Sequence, residues 1–465
     1  MKDPHADNLP KSVPIGRFYL RTFGCQMNQH DSERIAGMLG VRGWQRTGDE
    51  KEADLILLNT CSVRRHAEER VLGRLDRYRR EKKKRSQLIV GVIGCMAQVW
   101  KEKLWERFPK LDLILGPGSF ARLPEELEKL FFSGDRVLID RFEDTDEFFR
   151  SPSSRRSNLQ AWVTVIRGCN NFCSYCVVPY ARGREVSRPP GEIIEEVRSL
   201  GERGYKEITL LGQNVNSYRG EDRGGDLVDF PGLLGRLNPV GGIERIRFVT
   251  SHPKDISPAL IAAIAELEKV CESIHFPAQS GSDIILKKMR RGYTRDEYLK
   301  RVQELQLAIP GIALASDFIV GFPGETEEDF ARTLDLIREV RFDRIFAFAY
   351  SPRPKTTAAD LDDDIPPAVK SARLQELLAL QRSISLENNQ NLLGQVVEVL
   401  VEGRNRKFPD RGEGRTRSGQ AVFFPWKEGM EGRLVNVRIE RATDLSLFGS
   451  IIFSRRPEAL IRGEK

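Results

Sequence analysis

The sequence is poor in cysteine, has no long apolar run and carries no large excess of one charge. Seven cysteines in 465 residues are few and odd in number, which excludes a secreted disulfide framework and leaves metal binding, redox chemistry or plain burial. The longest apolar stretches, such as 88–97, fall far short of a membrane span, and the polar residues 1–12 contain no signal-peptide core. A cytoplasmic protein with no membrane association is therefore expected. Low-complexity tracts are absent, and a composition of 40% apolar and 30% charged residues belongs to a folded chain. The net charge of +7 permits a polyanionic partner without requiring one.

The length corresponds to about three domains. In the first, segments 17–21, 54–58 and 88–93 read as strands, each followed by helical periodicity. The helix at 62–84 places Ala67, Val71, Leu75 and Tyr78 on one stripe, with Ser62 as its expected cap. This βαβ pattern implies an open parallel sheet of an α/β domain. Cys25, Cys61 and Cys95 each fall just past the carboxyl end of one of these strands. Such ends share one sheet edge, so three cysteines distant in sequence can converge there; three buried small hydrophobes are the alternative. Periodicity fades between about 131 and 158, which reads as a linker.

A second series follows, with strands near 162–166, 207–211, 245–250, 273–276, 312–320 and 344–350 and helices between them. Six βα units predict a partial (β/α)6 barrel whose chemistry lies at the strand carboxyl ends. After a helix at about 368–393, short alternating strands at 396–402, 420–424, 434–440 and 450–453 predict a small antiparallel β-barrel. Its first loop carries Arg404, Arg406, Lys407, Arg411, Arg415 and Arg417, either a solubilising surface or a nucleic-acid contact.

The sharpest local signal is Gly168-Cys-Asn-Asn-Phe-Cys-Ser-Tyr-Cys176, a C-x3-C-x2-C loop directly after the first barrel strand. Zinc would want a fourth Cys or His nearby, and none follows. Three thiolates on one loop, Cys169, Cys173 and Cys176, can instead hold three irons of a cubane cluster and leave the fourth open. In this the chain resembles the radical S-adenosylmethionine enzymes. That resemblance implies that the open iron binds the amino and carboxylate groups of S-adenosylmethionine, and that one electron releases a 5'-deoxyadenosyl radical. Tyr175 matches the aromatic that lies by the adenine.

Together with that loop, Cys-Gln-Met-Asn28 with Asp31-Ser-Glu33, Asn59-Thr-Cys-Ser-Val-Arg64, Gly94-Cys-Met-Ala97, Pro179-Tyr-Ala-Arg-Gly183, Gly212-Gln-Asn-Val-Asn216 and Gln279-Ser-Gly-Ser282 resemble the MiaB family of tRNA methylthiotransferases, from about Gly16 to Phe453. The resemblance implies a methylthiotransferase domain at 16–132 holding an auxiliary 4Fe-4S cluster through Cys25, Cys61 and Cys95. It further implies a linker at 133–155, a radical S-adenosylmethionine core at 156–386, and an OB-like, RNA-binding TRAM domain at 388–455. The family's substrate is an isopentenyl-bearing adenosine next to the anticodon of tRNA, and its product bears a methylthio group at carbon 2. Two 4Fe-4S clusters and two S-adenosylmethionine molecules per turnover follow, with an electron donor of the flavodoxin type and a monomeric protein expected. Gln213, Asn214, Gln279, Ser280 and Asp317 are expected to line the S-adenosylmethionine pocket beside Tyr175, with turn stabilisation as the alternative; 321–325 is a further candidate. His252 and His275 flank the same face, and Cys271 reads as core. For RNA the candidates are Arg404, Arg406, Lys407, Arg415 and Arg417. The chain departs from the family at Ser351-Pro-Arg-Pro-Lys-Thr-Thr357 and at Gly414-Arg-Thr-Arg-Ser-Gly419. Rival readings are a methylthiotransferase of threonylcarbamoyl-adenosine in tRNA, one acting on a ribosomal protein, and a non-catalytic iron-sulfur RNA-binding protein; Gln26-Met27-Asn28 and Ser62-Val-Arg64 resemble the tRNA branch.

Overall fold

The computed structural model describes residues 16–63, 65–142 and 147–452; the expectations for residues 1–12, Arg64, 143–146 and Phe453 lie outside them. Strand β1, Gly16–Phe23, buries Phe18 and Leu20 on one side and Phe23 on the other. Strands β3, Leu55–Thr60, and β4, Ile89–Ile93, are buried at every position. Continuous burial is what a parallel strand covered on both faces requires. With β2 (Trp44–Arg46), β5 (Leu113–Leu115) and β6 (Val137–Ile139), they form a six-stranded sheet in the order β2-β1-β3-β4-β5-β6. All its pairings are parallel.

The linker expected at 133–155 is corrected by this sheet, because β6 lies inside it and pairs with β5. Three residues are too few to display a period. The rest of the segment is anchored as well: Phe148 and Phe149 are buried, and the Ser154 amide donates to the Glu33 carbonyl at 2.8 Å. The hydroxyl of Ser62, the expected cap of the following helix, Arg65–Glu81, donates to the Glu68 carboxylate at 2.5 Å.

Six further strands run Gln160–Thr164 (β7), Glu207–Leu211 (β8), Arg245–Phe248 (β9), Ser273–His275 (β10), Ala313–Val320 (β11) and Arg344–Ala349 (β12). The first three and the last three pair in parallel. The two halves meet where Ile246 pairs with Val270 and the Cys271 amide donates to the Ile246 carbonyl at 2.9 Å. The expected partial barrel of six strands is the result. Ile208, Leu210, Ile246, Phe248, Ile274, Leu314 and Phe318 pack outward into one core. By alternation, Trp162, Thr209, Arg247, His275, Asp317 and Phe346 line the concave side.

The carboxyl-terminal barrel is closed by five strands, not four, and it is not wholly antiparallel. Their order is β13 (Val396–Arg404), β14 (Arg411–Thr416), β15 (Ala421–Pro425), β17 (Ser446–Ile452), β16 (Leu434–Ala442), with β15 and β17 parallel. Strand β14 escapes a hydrophobicity reading because two of its buried positions are Gly412 and Gly414. A Cβ on Gly414 would sit 2.3 Å from the Leu400 carbonyl oxygen, so crossing backbone occupies the space a side chain would fill.

The two flanking domains occupy opposite mouths of the central barrel. At the strand carboxyl ends, Thr164 donates to the Met27 sulfur at 3.5 Å, and Arg353 reaches Glu68 and the Val63 carbonyl, each at 3.0 Å. At the amino ends, the turn 416–420 enters the barrel. Arg245 donates to the Arg415 carbonyl at 2.7 Å, Arg247 to those of Thr416 and Arg417 at 2.7 and 2.6 Å, and Arg344 to that of Gly419 at 3.2 Å.

Two buried histidines make this fold acid-sensitive. The Nε2 of His30 accepts from Arg34 at 3.1 Å, and the Nδ1 of His252 accepts from the Lys254 amide at 3.2 Å, so both must be neutral. Burial and neighbouring cations hold His30 well below the usual histidine range and push His252 down to about 2. A depressed folded-state pKa gives stability that is present above the unfolded value near 6.5 and is lost as pH falls below it. Each histidine should therefore cost about 1.4 kcal/mol per pH unit below that value. Urea unfolding across pH 7 to 5 should show the loss, with a shallower slope in His252→Gln; parallel slopes would refute the assignment.

Candidate metal centre

The parallel sheet delivers three thiols to one edge. Cys25 precedes the helix Gln26–Val41 in extended conformation, Cys61 follows β3 with its amide bonded to the Phe23 carbonyl at 2.8 Å, and Cys95 opens the helix Cys95–Trp100. Gly94 must be glycine: its φ is +91° and a Cβ would lie 2.4 Å from the Asn59 Oδ1. A buried amide lattice joins these loops, with Asn28 donating to Asn59 at 3.2 Å and Asn59 donating back to the Asn28 carbonyl and to Ser32, both at 2.9 Å. A hydrogen bond between the Cys25 and Cys61 side chains favours Cys25 as thiolate and pushes Cys61 up, while burial raises Cys95.

Among the described residues, no group of three or more His, Cys, Asp or Glu side chains is gathered tightly enough for a single metal ion. One thiol from each of three loops, with the nearby Asp31 carboxylate engaged by Arg182 at 2.7 Å, suits a cubane cluster that takes one thiolate per iron.

The second triad sits on the loop after β7, at the mouth that the sheet domain covers. Gly168, at φ +76°, starts the turn; its amide donates to the Gln213 Oε1 at 2.5 Å. Ser174 is tied by its amide to the Met289 carbonyl at 3.0 Å and by its hydroxyl to that of Lys288 at 2.8 Å. Arg291 is buried behind the loop, donating to the Cys173 sulfur at 3.3 Å, the Tyr175 hydroxyl at 3.4 Å and the Pro277 carbonyl at 3.0 Å. Burial pushes Cys169 up to about 11, Cys176 up to about 12 and Tyr175 well above the usual range, so the Cys169 and Cys176 thiols are neutral until a metal draws their protons off. Three thiols on one tight loop, with no fourth ligand, fit a cluster with one open iron.

The loop runs into the helix Val178–Arg182, which packs on the helix of Cys95: Cys95, Val99, Val177 and Ala181 form one apolar cluster. Val177 directly follows Cys176, so the two triads are neighbours across a domain boundary that no sequence pattern marks.

The other candidates divide by what they touch. Gln213 supports Gly168, as above. Asn214 is buried, donating to Asp255 at 2.7 Å and accepting from the His252 amide at 3.1 Å. Ser280 is buried beside Thr333 and accepts from the Ser282 amide at 3.2 Å. Gln279 adopts a left-handed φ of +74° and its amide bonds to the Asp317 carbonyl at 2.9 Å. Asp317 faces the cavity with His275, Oδ1 to Nε2 at 3.2 Å. Gly321 donates to Glu325 at 2.6 Å, and Cys271 is core. Arg404, Arg406 and Lys407 are exposed at the free end of the β13–β14 hairpin. Arg415 and Arg417 turn the other way: Arg415 pairs with Glu402 at 3.0 Å and Arg417 with Glu272 at 2.8 Å. Sequence reasoning assigned no role to Arg291 or Arg182. The second lies in the quoted Pro179–Gly183 motif, and the first ends an ordinary basic run.

Gly168→Ala should remove the loop's cluster while leaving the fold, because a Cβ there would lie 1.9 Å from the Arg184 carbonyl oxygen. Reconstituted iron should fall by about half, with far-ultraviolet circular dichroism unchanged. Full iron content would show that the turn tolerates a side chain.

Residues 17–116 match the family described as "Uncharacterized protein family UPF0004", 163–337 the radical SAM superfamily and 390–452 the TRAM domain. Over 455 residues the chain is 48% identical to the tRNA-2-methylthio-N(6)-dimethylallyladenosine synthase of Thermoanaerobacter pseudethanolicus, covering 97% of this chain and 95% of that one. It is 49% identical over 438 residues to the enzyme of the same name from Caldicellulosiruptor saccharolyticus, covering 94% and 92%. Among solved structures it is similar to the radical S-adenosylmethionine methyltransferase TsrM of Kitasatospora setae, with a TM-score of 0.54, 15% identity and coverage of 74% and 75%. At that identity the likeness is one of fold.

Proposed function

The chain belongs to the family of tRNA-2-methylthio-N(6)-dimethylallyladenosine synthases, and from that premise we propose how its residues divide the work. It is a radical S-adenosylmethionine transferase that places a methylthio group on N(6)-dimethylallyladenosine of tRNA, and it uses two 4Fe-4S clusters and S-adenosylmethionine. When bound, these groups supply the electron, the radical and the sulfur; a carbon-bound hydrogen of adenine is not acidic enough for a side-chain base. The protein's own task is to hold, orient and keep dry.

In this reading Cys169, Cys173 and Cys176 hold the cluster that meets S-adenosylmethionine, and Cys25, Cys61 and Cys95 hold the other. The observation that carries it is the packing of Val177 and Ala181 against Cys95, which puts both triads at one mouth of the barrel. Arg291 keeps the Cys173 thiol and the Tyr175 hydroxyl in place. On the concave side, the half-exposed ring of Phe346 lies 6.1 Å from the His275 ring, and Asp317 holds that imidazole. A flat aromatic surface beside a polar pair is what a purine bearing an apolar tail needs, and we assign Phe346, His275 and Asp317 to the substrate end of the cavity.

The target adenosine lies next to the anticodon, where a loop base can be splayed out of the stack. The exposed Arg404, Arg406 and Lys407 meet tRNA phosphates. An external donor of the flavodoxin type, two S-adenosylmethionine molecules per turnover, a monomeric state and a cytoplasmic location complete the proposal. No helix among the described residues is long and apolar enough to cross a membrane.

Mass spectrometry of tRNA nucleosides from cells lacking the protein tests this. The dimethylallyl nucleoside should accumulate without its methylthio group, wild-type protein should restore the product, and Cys61→Ala should not. Loss of a methylthio-threonylcarbamoyl nucleoside instead would redirect the assignment, and an unchanged nucleoside profile would overturn it.

A further inference from the structure

The helix that leaves the barrel's cysteine loop carries a charge into the other domain's cluster site. Arg182, the last residue of the helix Val178–Arg182, donates to the Asp31 carboxylate at 2.7 Å. The two side chains are 8% and 5% exposed, although they come from different domains. A buried ion pair is weak evidence for stability, because desolvation of both ions offsets their attraction. Its surroundings suggest another role. Ala181, the residue before Arg182, packs against Cys95, and Asp31 stands on the helix that Cys25 precedes, so the pair lies beside the loops of both thiols. Beside the pair lies a cavity of about 20 Å³, lined by Met27, Asp31, Thr164, Arg167 and Arg182 among others. That is room for about one water molecule, so bulk solvent does not screen the pair.

Three thiolates bring three negative charges into this edge, and the sheet domain sets one carboxylate, Asp31, beside them. We propose that Arg182 is a positioning residue of the auxiliary cluster, supplied by the barrel domain, and that it sets the cluster's reduction potential against the opposing charge of Asp31. The site is then composite: three ligands from the sheet domain and a cation from the element that begins beside Cys176. Fixed charge near an iron-sulfur cluster tunes its potential, a cation favouring the reduced state and a carboxylate the oxidised one. Because Arg182 is six residues from Cys176, the contact also fixes one cluster site relative to the other.

The inference rests on assigning a cluster to Cys25, Cys61 and Cys95, and the test separates the two claims. In the full-length chain, Cys169, Cys173 and Cys176 are replaced by alanine, so that only the auxiliary cluster is reconstituted, and its potential is followed by electron paramagnetic resonance. Arg182→Met should reduce the ratio of reduced to oxidised cluster at fixed potential by about tenfold, a shift of about 59 mV to more negative values. Asp31→Asn should move the potential in the opposite direction, and Arg182→Lys should stay near wild type. Opposite signs are not expected of a purely structural perturbation, which would loosen the site in both variants. Unchanged potentials, or shifts of the same sign, would overturn the role of Arg182. If Arg182→Met holds no cluster, Asp31→Asn decides alone: a positive shift supports the proposal and no shift overturns it. Absence of iron from the parent variant would refute the cluster assignment instead.

Discussion

Replacement of Cys25, Cys61 and Cys95 together by alanine is expected to lower reconstituted iron from about eight to about four atoms per chain, abolish methylthio transfer and leave reductive cleavage of S-adenosylmethionine intact. The separation follows from how each triad is held. The barrel loop is fixed by Gln213 at Gly168, by Lys288 and Met289 at Ser174 and by Arg291 at Cys173, all residues of the barrel domain. The sheet thiols are fixed by Asn28, Asn59 and Ser32 of their own domain. Emptying one site therefore leaves these hydrogen-bonded supports of the other in place. Cys173→Ala should give the converse, losing 5'-deoxyadenosine formation altogether while keeping about four irons. Iron counting with chromatography of cleavage products distinguishes the outcomes. If the sheet-domain triple variant also lost cofactor cleavage, the two sites would not be independent.

The second large effect is expected at the other mouth of the barrel. Arg245→Met with Arg247→Met should release the carboxyl-terminal barrel from the central one. Arg245 is fully buried and binds Glu398 at 2.7 Å as well as the Arg415 carbonyl; Arg247 binds Glu207 at 2.9 Å and two carbonyls of the inserted turn. Hydrogen bonds to a charged donor are each worth about 1.5–3 kcal/mol, and the carbonyls of 415–417 would lose these charged donors. Docking should weaken by about 4 kcal/mol or more, seen as a separate low-temperature unfolding transition and new proteolysis near Gly394. A single transition at the wild-type temperature would show that the apolar contacts suffice. Since the hairpin end that carries Arg404, Arg406 and Lys407 would lose its fixed direction, KM for tRNA should rise more than kcat falls.

These two interfaces mark the limit of reading from the chain. Barrel strands β8, β9, β11 and β12 fall close to where alternation places them, because strands of four to eight residues against helices display their period. Strands β2, β5 and β6 do not, since three residues carry no period, and β14 does not, since glycine fills its inward positions. Asn214 and Ser280 stand at strand ends as expected, yet their side chains are committed to the protein's own turns, which polarity and position alone do not reveal.

Local spacing determined, by itself, that Cys169, Cys173 and Cys176 share one loop and that Cys25, Cys61 and Cys95 stand at strand ends, because a loop of eight residues and the carboxyl edge of a parallel sheet are short-range facts. Only the tertiary structure decided that the two triads meet at one mouth, that Arg182 reaches from one domain to Asp31 of the other, and that Arg417 pairs across the domain interface while Arg415 pairs within its own barrel. Those contacts join residues up to 151 positions apart. They arise from which helix packs on which, and a buried charge such as Arg182 or Arg291 looks like any surface arginine until its partner, brought by packing, takes it out of water.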